Sequence, residues 1–391
     1  MDREGIRAGA RHDVCRSSRL SKHKRRLRVT HFSRVVELGD PGRDVKRIES
    51  GGGVRRYYLM PRKLIPVCVF IASILFPEFL SAAVKLTELE DRVRVEIDGK
   101  LYTEYCFKDW KYPYLYPVNG PNGKSVVRHY PMTTGVKGEQ QDHPHHRAIF
   151  FTHSHVNGFN FWAPQAEERK GRDTAIAHDR FEKIESGEKR GELIVWTKWT
   201  GEGEVVLRER KRLTFIPAGD GQVLMDYDVT LHAGDKDVKF GDNKDGGLGL
   251  RVASTMKVRA IARHAKESPS FGALVNSRGD KNDATWGKSA EWVDYSGPDA
   301  SGGTVGVAIF DHPANLRAPT GWHARYYGLL TANRFATGSF GRITGAKKGE
   351  GDYTIPKGKS LRLRHRFFIH RGDAKDGRVA ESYKAYAGSG K

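Results

Sequence analysis

Cysteine is nearly absent. The chain has three in 391 residues, and only Cys106 falls after residue 83. That part of the chain therefore has no internal disulfide and has to be held by its core. Long apolar runs are missing too, apart from Leu64 to Phe76, and nothing in 84–391 is apolar for long enough to cross a bilayer as a helix. Helical periodicity is scarce: only "DAKDGRVAESYKAYAG" near the C-terminus reads as a helix. There is no internal repeat, coiled coil or low-complexity linker. Acidic residues are outnumbered, with 47 Asp/Glu against 67 Lys/Arg and a net charge of +20. The excess is not focused, however. Residues 1–59 hold 16 Lys/Arg against 7 Asp/Glu, and the rest is spread over some 300 residues without a basic helix or an aromatic-interleaved basic stripe. Nucleic acid is therefore not an expected partner.

The segment "MPRKLIPVCVFIASILFPEFLSAA", Met60 to Ala83, has the three parts of a secretory signal in order. Arg62 and Lys63 form a positive start, Leu64 to Phe76 a short apolar run, and Ser81-Ala82-Ala83 a small-residue cleavage site. Cys68 lacks the small neighbours of a lipoprotein site. The expectation is a signal peptide at 60–83, an untranslated or disordered basic extension at 1–59, and an exported protein, periplasmic or extracellular, made of 84–391. No membrane span remains after cleavage.

From Val84 onward the sequence reads as strand after strand. "VRVEIDGKLYTEYCF" reads as a hairpin turning at Asp98-Gly99. "RAIFFTHSHV" reads as a half-buried strand, and "GELIVWTKWT", "VVLRERKRLTFIP" and "QVLMDYDVTLHA" as a meander. "GLGLRVA", "TMKVRAIA", "TVGVAIFD", "YYGLLTANRFA" and "LRLRHRFFIHRG" complete at least ten strands. In the last, Leu361, Leu363, His365, Phe367 and Ile369 share one face. With 44 glycines for the turns, the fold class expected is all-β: a large antiparallel β-sandwich with a short C-terminal helix, in a single domain over 84–391.

The densest chemistry is "DHPHHRAIFFTHSHVNGFNFW", Asp142 to Trp162, with five of the 16 histidines inside 13 residues. Pro144 marks a loop or strand entry. His153 and His155, two apart, are expected on one strand face, where they are the candidate ligands should a divalent metal be bound. No cofactor is expected otherwise. An imidazole moves protons near neutral pH, so His143, His145 and His146 are candidate acids or bases. Arg147, Asn157 and Trp162 would orient a substrate. A second polar loop, "AIFDHPANLRAPTGWHARYYGL", repeats Asp-His-Pro. It offers Asp311 as the carboxylate partner, His312 and His323 as further imidazoles, and Trp322 and Arg325 as binding groups. A long Gly/Asn/Asp loop carries Trp286, Trp292 and Tyr295, with Trp286 a candidate binding wall. His178 is a spare imidazole.

These stretches, with "WGKSAEWVDYSG", resemble a family of exported bacterial proteins labelled the methane oxygenase PmoA family. The resemblance covers most of residues 90–370. Ala148 and Ser154 stand where that family more usually has glycine. The label's membrane methane chemistry does not fit, since 84–391 has no spanning helix. The resemblance implies a galactose-mutarotase-like supersandwich that moves protons on a sugar ring with histidines and a carboxylate. The leading expectation is an exported carbohydrate-active protein doing acid–base work on a sugar or oxidised sugar: epimerisation, ring opening or elimination. The alternatives are a carbohydrate-binding or surface-interaction module stacking sugars on Trp162, Trp286, Trp292 and Trp322, and a metal-dependent hydrolase or oxygenase.

Overall fold

The computed structural model describes residues 83–262 and 271–388. Residues 1–59 and the segment 60–82 lie outside the described residues, and with them most of the expected signal peptide. The described residues all belong to one compact unit, Phe76–Lys391.

Two eight-stranded antiparallel sheets make up the unit. In order across the first sheet are β1 (Val84–Glu88), β2 (Arg92–Ile97), β3 (Lys100–Cys106), β4 (Tyr114–Val118), β5 (Ile149–His153), β11 (Gly246–Arg251), β16 (Leu329–Asn333) and β15 (Gly321–Ala324). Across the second are β12 (Ala273–Asn276), β13 (Trp292–Pro298), β14 (Thr304–Asp311), β18 (Ser360–Arg371), β9 (Val223–His232), β8 (Glu204–Pro217), β7 (Gly191–Gly201) and β6 (Thr174–Glu185). A short pair, β10 (Val238–Phe240) with β17 (Tyr353–Ile355), lies apart from them. Helices are few and short: α1 (Pro164–Glu168), α2 (Gly341–Thr344) and α3 (Val379–Gly388). The all-β antiparallel sandwich with a C-terminal helix is what the alternation of the sequence predicts.

Local signals decide much of this. Asp98 and Gly99 both take positive φ, 49° and 71°, as a tight two-residue hairpin requires. On β18 the predicted face, Leu361 to Ile369, is buried at every second residue. Two expectations are corrected. "TMKVRAIA" forms no strand. And β5 is buried on both faces, not one, because a layer of loops covers the side turned away from the second sheet.

Register shows how the faces are divided. Phe151, Leu248, Ala332 and Trp322 are direct partners across four strands and so share one face. Phe151 meets Trp199 of the second sheet, ring centroids 6.2 Å apart, which makes this the sandwich interior. The alternating row, Tyr114–Phe150–Gly249–Thr331–His323, runs across five strands on the opposite face. That face carries the candidate site.

One buried charge on the second sheet makes stability pH-dependent. His370 on β18 is fully buried, and its ring is enclosed by Gly306 and Gly377, where any Cβ would collide with it. Nε2 contacts Asp294 Oδ1 at 2.8 Å and Nδ1 contacts the Arg371 carbonyl at 3.0 Å. Both partners accept, so the ring donates twice and is an imidazolium. Burial opposes that charge, but Asp294 outweighs it and raises His370 above the usual histidine value. A raised folded value gives stabilisation that is complete below about pH 6.5 and is lost as pH rises through the folded value. The stability difference between the protein and its His370→Leu/Asp294→Leu double variant is therefore expected to shrink from pH 6 to pH 9 in urea unfolding. A difference that stays flat would show that the ring carries no charge.

Candidate functional site

A buried carboxylate organises the loop before β5. Asp142 Oδ1 accepts from Arg128 Nη1 (2.8 Å), Arg251 Nη2 (2.7 Å) and Gln140 Nε2 (2.7 Å), and Oδ2 pairs with His143 Nδ1. Burial alone would raise this carboxyl. The hydrogen bond from His143, the two guanidiniums and Gln140 outweigh it and hold Asp142 well below the usual carboxylate range. The same Arg128 ties down the loop backbone, donating to the carbonyls of Gln140, Asp142, His143 and His146. His143 itself has φ 44°, a left-handed backbone that few non-glycine residues adopt. The loop bonds compensate for that strain and aim the ring.

Arg251 comes from β11, on the same face as Gly249, and reaches His146 Nδ1 at 3.2 Å. Above it the rings form a column. Tyr327 lies parallel to His143 at 5.4 Å, His143 parallel to His146 at 4.8 Å, and His146 nearly parallel to Phe150 at 6.2 Å. His145 stands edge-on to both neighbouring histidines, and Trp162 edge-on to His145 and His146. His143 and His145 are half-exposed, whereas His146 is buried. The cluster thus opens to solvent at two of its three imidazoles.

The partners fix which nitrogen of each ring holds the proton. Asp142 only accepts, so His143 Nδ1 donates, and in the neutral ring Nε2 is the acceptor. Arg251 only donates, so His146 Nδ1 accepts and its proton sits on Nε2. Gln165 Nε2 donates to His145 Nδ1 at 2.9 Å, which likewise leaves Nε2–H. Burial, with help from neighbouring His143, pushes His145 down to about 4. Burial, His145 and Arg251 push His146 well below the histidine range. Both are neutral at pH 7. None of the three Nε2 atoms has a hydrogen-bond partner among the described residues. With a neutral His143 the cluster presents one acceptor beside two donors.

The remaining predicted residues divide into those the structure brings to this cluster and those it does not. His323 shares the site face. Its Nδ1 donates to the Lys244 carbonyl and stands 3.8 Å from Asp245 Oδ1, and burial pushes it down to about 3. Asp245 acts on His145 as well. Arg325 stacks over Tyr326 and Tyr327, and Trp162 is part of the column.

Asp311 is not brought there. It is buried on the second sheet, where it binds Arg334, Asn315 Nδ2 and the Thr320 amide. His312 accepts from the Ala314 amide and packs edge-on to Tyr386. Arg147 turns away to stack on Trp110 at 3.9 Å and to pair with Asp109. Asn157 caps a turn by bonding the backbone of Asp237 and Lys239. His178 packs between Phe107 and Phe181. Trp286 packs edge-on to Phe340. Trp292 is 9% exposed and packs with Tyr386 of α3. Trp322 is in the sandwich interior, its indole N–H on the Ala290 carbonyl.

The expected pairing of His153 and His155 is corrected. β5 ends at His153, whose ring enters the interior between Phe240 and Phe335 and donates to the Gly241 carbonyl. His155 lies beyond the strand end and is exposed. Among the described residues no three His, Cys, Asp or Glu side chains come together as a metal site.

Asp142, Gln165, Arg251, Tyr327 and Asp245 escape a reading of the sequence as site residues. Only Asp142 had a visible signal, its place beside His143. Arg251 lies 109 residues from its carboxylate, a distance no spacing rule covers.

Gly249 is required by the floor of this site. A Cβ there would lie 2.7 Å from Phe150 Cζ and drive that ring into the histidine column. Gly249→Ala is expected to lower stability by about 1–3 kcal/mol in urea unfolding; a cost near zero would mean that the floor yields freely.

The family described as "Family of unknown function (DUF6807)" matches residues 92–384. The match does not carry the methane-oxygenase label. Among curated proteins none matches. Solved structures similar to the chain include an α-galactosidase from Lactobacillus brevis, at 7% identity and TM-score 0.33, covering 75% of this chain and 40% of that one. A galactose mutarotase related enzyme from Lactobacillus acidophilus is similar at 13% identity and TM-score 0.24, covering 73% of this chain and 97% of that one. A glycoside hydrolase family 97 enzyme from Pseudoalteromonas sp. strain K8, in complex with panose, has 9% identity and TM-score 0.22, covering 73% of this chain and 33% of that one. At such scores none of them bears on the site.

Proposed function

The chain belongs to a family of unknown function, DUF6807, and we propose that it performs acid–base chemistry on a carbohydrate at the His143–His145–His146 cluster. The observation that carries this reading is the fixed set of tautomers. His143 Nε2 is a base, oriented through Nδ1 by an ionised Asp142, the arrangement by which a carboxylate holds an imidazole ready to take a proton. His145 and His146 present Nε2–H to the oxygen that gains charge. A sugar suits this set because each hydroxyl both donates and accepts, and because an epimerisation, ring opening or elimination needs one proton removed and one oxygen stabilised.

The residues in this reading are His143 as base, His145 as donor or acid, His146 as a second donor, Asp142 as positioning residue, and His323, Asp245 and Arg325 along the rim. No cofactor enters the reaction. The protein is exported with Met60 to Ala83 as its signal peptide, acts in the periplasm or outside the cell, and has carbohydrate rather than nucleic acid as its partner. A non-catalytic sugar-stacking module fits less well, since of its four tryptophans Trp162, Trp292 and Trp322 are at most 9% exposed, which leaves only the half-buried Trp286 as a platform.

Proton NMR of a sugar panel in D2O tests the reading. The expected result is exchange of a ring C–H, or a new anomer, epimer or alkene signal, that depends on the protein. A panel of neutral and acidic sugars with no protein-dependent change would sink it.

A further inference from the structure

Among the described residues five arginines bury an Nε that has no hydrogen-bond partner: Arg128, Arg147, Arg251, Arg325 and Arg334. Four of them hold a carboxylate within the chain. Arg128 and Arg251 share Asp142, Arg147 has Asp109, and Arg334 has Asp311. Arg325 alone among these five has none. Its guanidinium lies over Tyr326 and Tyr327, 5.7 and 5.4 Å from the ring centroids, and it makes no ion pair with the described residues. The position is half-exposed, so the charge is within reach of a ligand.

Tyr327 joins this arginine to the reacting group. The same ring lies parallel to His143 and carries Arg251 at 4.7 Å. Asp142 answers two guanidiniums with one charge, and the other carboxylate acting on these rings, Asp245, is itself paired with Lys244. A guanidinium held by an aromatic face and without an ion pair, on the same tyrosine ring that His143 stacks against, is suited to recognise a planar carboxylate.

We propose that Arg325 binds the carboxylate of an acidic sugar, a uronate, and so sets the substrate class of this site. The proposal rests on the acid–base reading above. It also selects the proton that moves. In a uronate the C5 hydrogen is adjacent to the carboxylate. His143 Nε2 takes it as a proton, and the C–H electron pair passes into the carboxylate as an enediolate whose charge Arg325 offsets. No oxidant or further reactant is needed. A neutral hexose has no such acidic C–H and leaves Arg325 unpaired.

The test is binding of four methyl glycosides, those of glucuronate, galacturonate, glucose and galactose, by titration calorimetry. The purified protein is compared with Arg325→Met and Arg325→Lys. Methionine keeps an apolar stem over Tyr327 without charge. At least one uronate is expected to bind tenfold or more tightly than its neutral counterpart. Arg325→Met is expected to abolish that preference and leave neutral-sugar affinity within about twofold, whereas Arg325→Lys retains part of it. Uronates binding no better than neutral sugars, or a methionine variant weakening both alike, would overturn the carboxylate assignment and leave the acid–base reading standing. Binding of neither class would overturn both.

Discussion

Replacing His143 with glutamine is expected to lower turnover by about 10²- to 10⁴-fold, the usual contribution of a positioned general base, with the fold intact. Glutamine fits a half-exposed position and can still donate to Asp142, so the carboxylate keeps a partner. What is lost is the Nε2 lone pair. The loss belongs to the transition state, so kcat should fall with KM little changed. His145 and His146 stay neutral from pH 5 to 9, because burial holds the first near 4 and the second well below the histidine range. The two donors therefore do not titrate across that range, and any limb of the pH–rate profile there belongs to another group. Its disappearance in His143→Gln would assign it to the base. His155→Gln, outside the cluster and exposed, serves as the control at wild-type rate. A His143→Gln protein that turns over within threefold of wild type would remove His143 from the chemistry, whatever the substrate.

The fold was legible because sheet geometry writes itself locally. A two-residue alternation on β18 and an Asp-Gly turn between β2 and β3 need no information from elsewhere in the chain. That three imidazoles gather was legible for a related reason: His143, His145 and His146 lie within one short loop. Pairing at long range is what sequence could not show. Asp-His-Pro occurs twice, at Asp142 and at Asp311, and the two copies read alike. Only the fold separates them. Arg128 and Arg251 meet Asp142, which in turn holds the His143 ring. Arg334 meets Asp311 and makes it part of the frame. Likewise His153 and His155 look like a metal pair until the strand ends between them. The alternation rule that would place them on one face then no longer applies, and His153 goes to the aromatic interior.

That distinction between the two motifs makes a second prediction, opposite in kind to the first. Asp311→Asn is expected to lower stability by about 3–5 kcal/mol, the cost of leaving one member of a buried ion pair uncompensated, and to leave turnover per folded molecule unchanged. Both side chains of the Asp311–Arg334 pair are at most 1% exposed, so water cannot replace the missing charge. Arg334 would then face only neutral groups. Among them is His365 Nε2 at 3.4 Å, whose ring burial and Arg334 itself already hold well below the histidine range. Asparagine has one oxygen where Asp311 offers two, one to the Thr320 amide and one to Asn315 and Arg334, so the variant loses an acceptor along with the charge. The double variant Asp311→Leu/Arg334→Met removes both charges together and is expected to recover most of the stability, as apolar replacements of buried pairs do. Urea unfolding measures all three proteins, and NMR turnover of the soluble fraction measures activity. If Asp311→Asn cost less than about 1 kcal/mol yet abolished turnover, Asp311 would belong to the chemistry. The two Asp-His-Pro loops would then have to act together, and the site drawn around Asp142 would be incomplete.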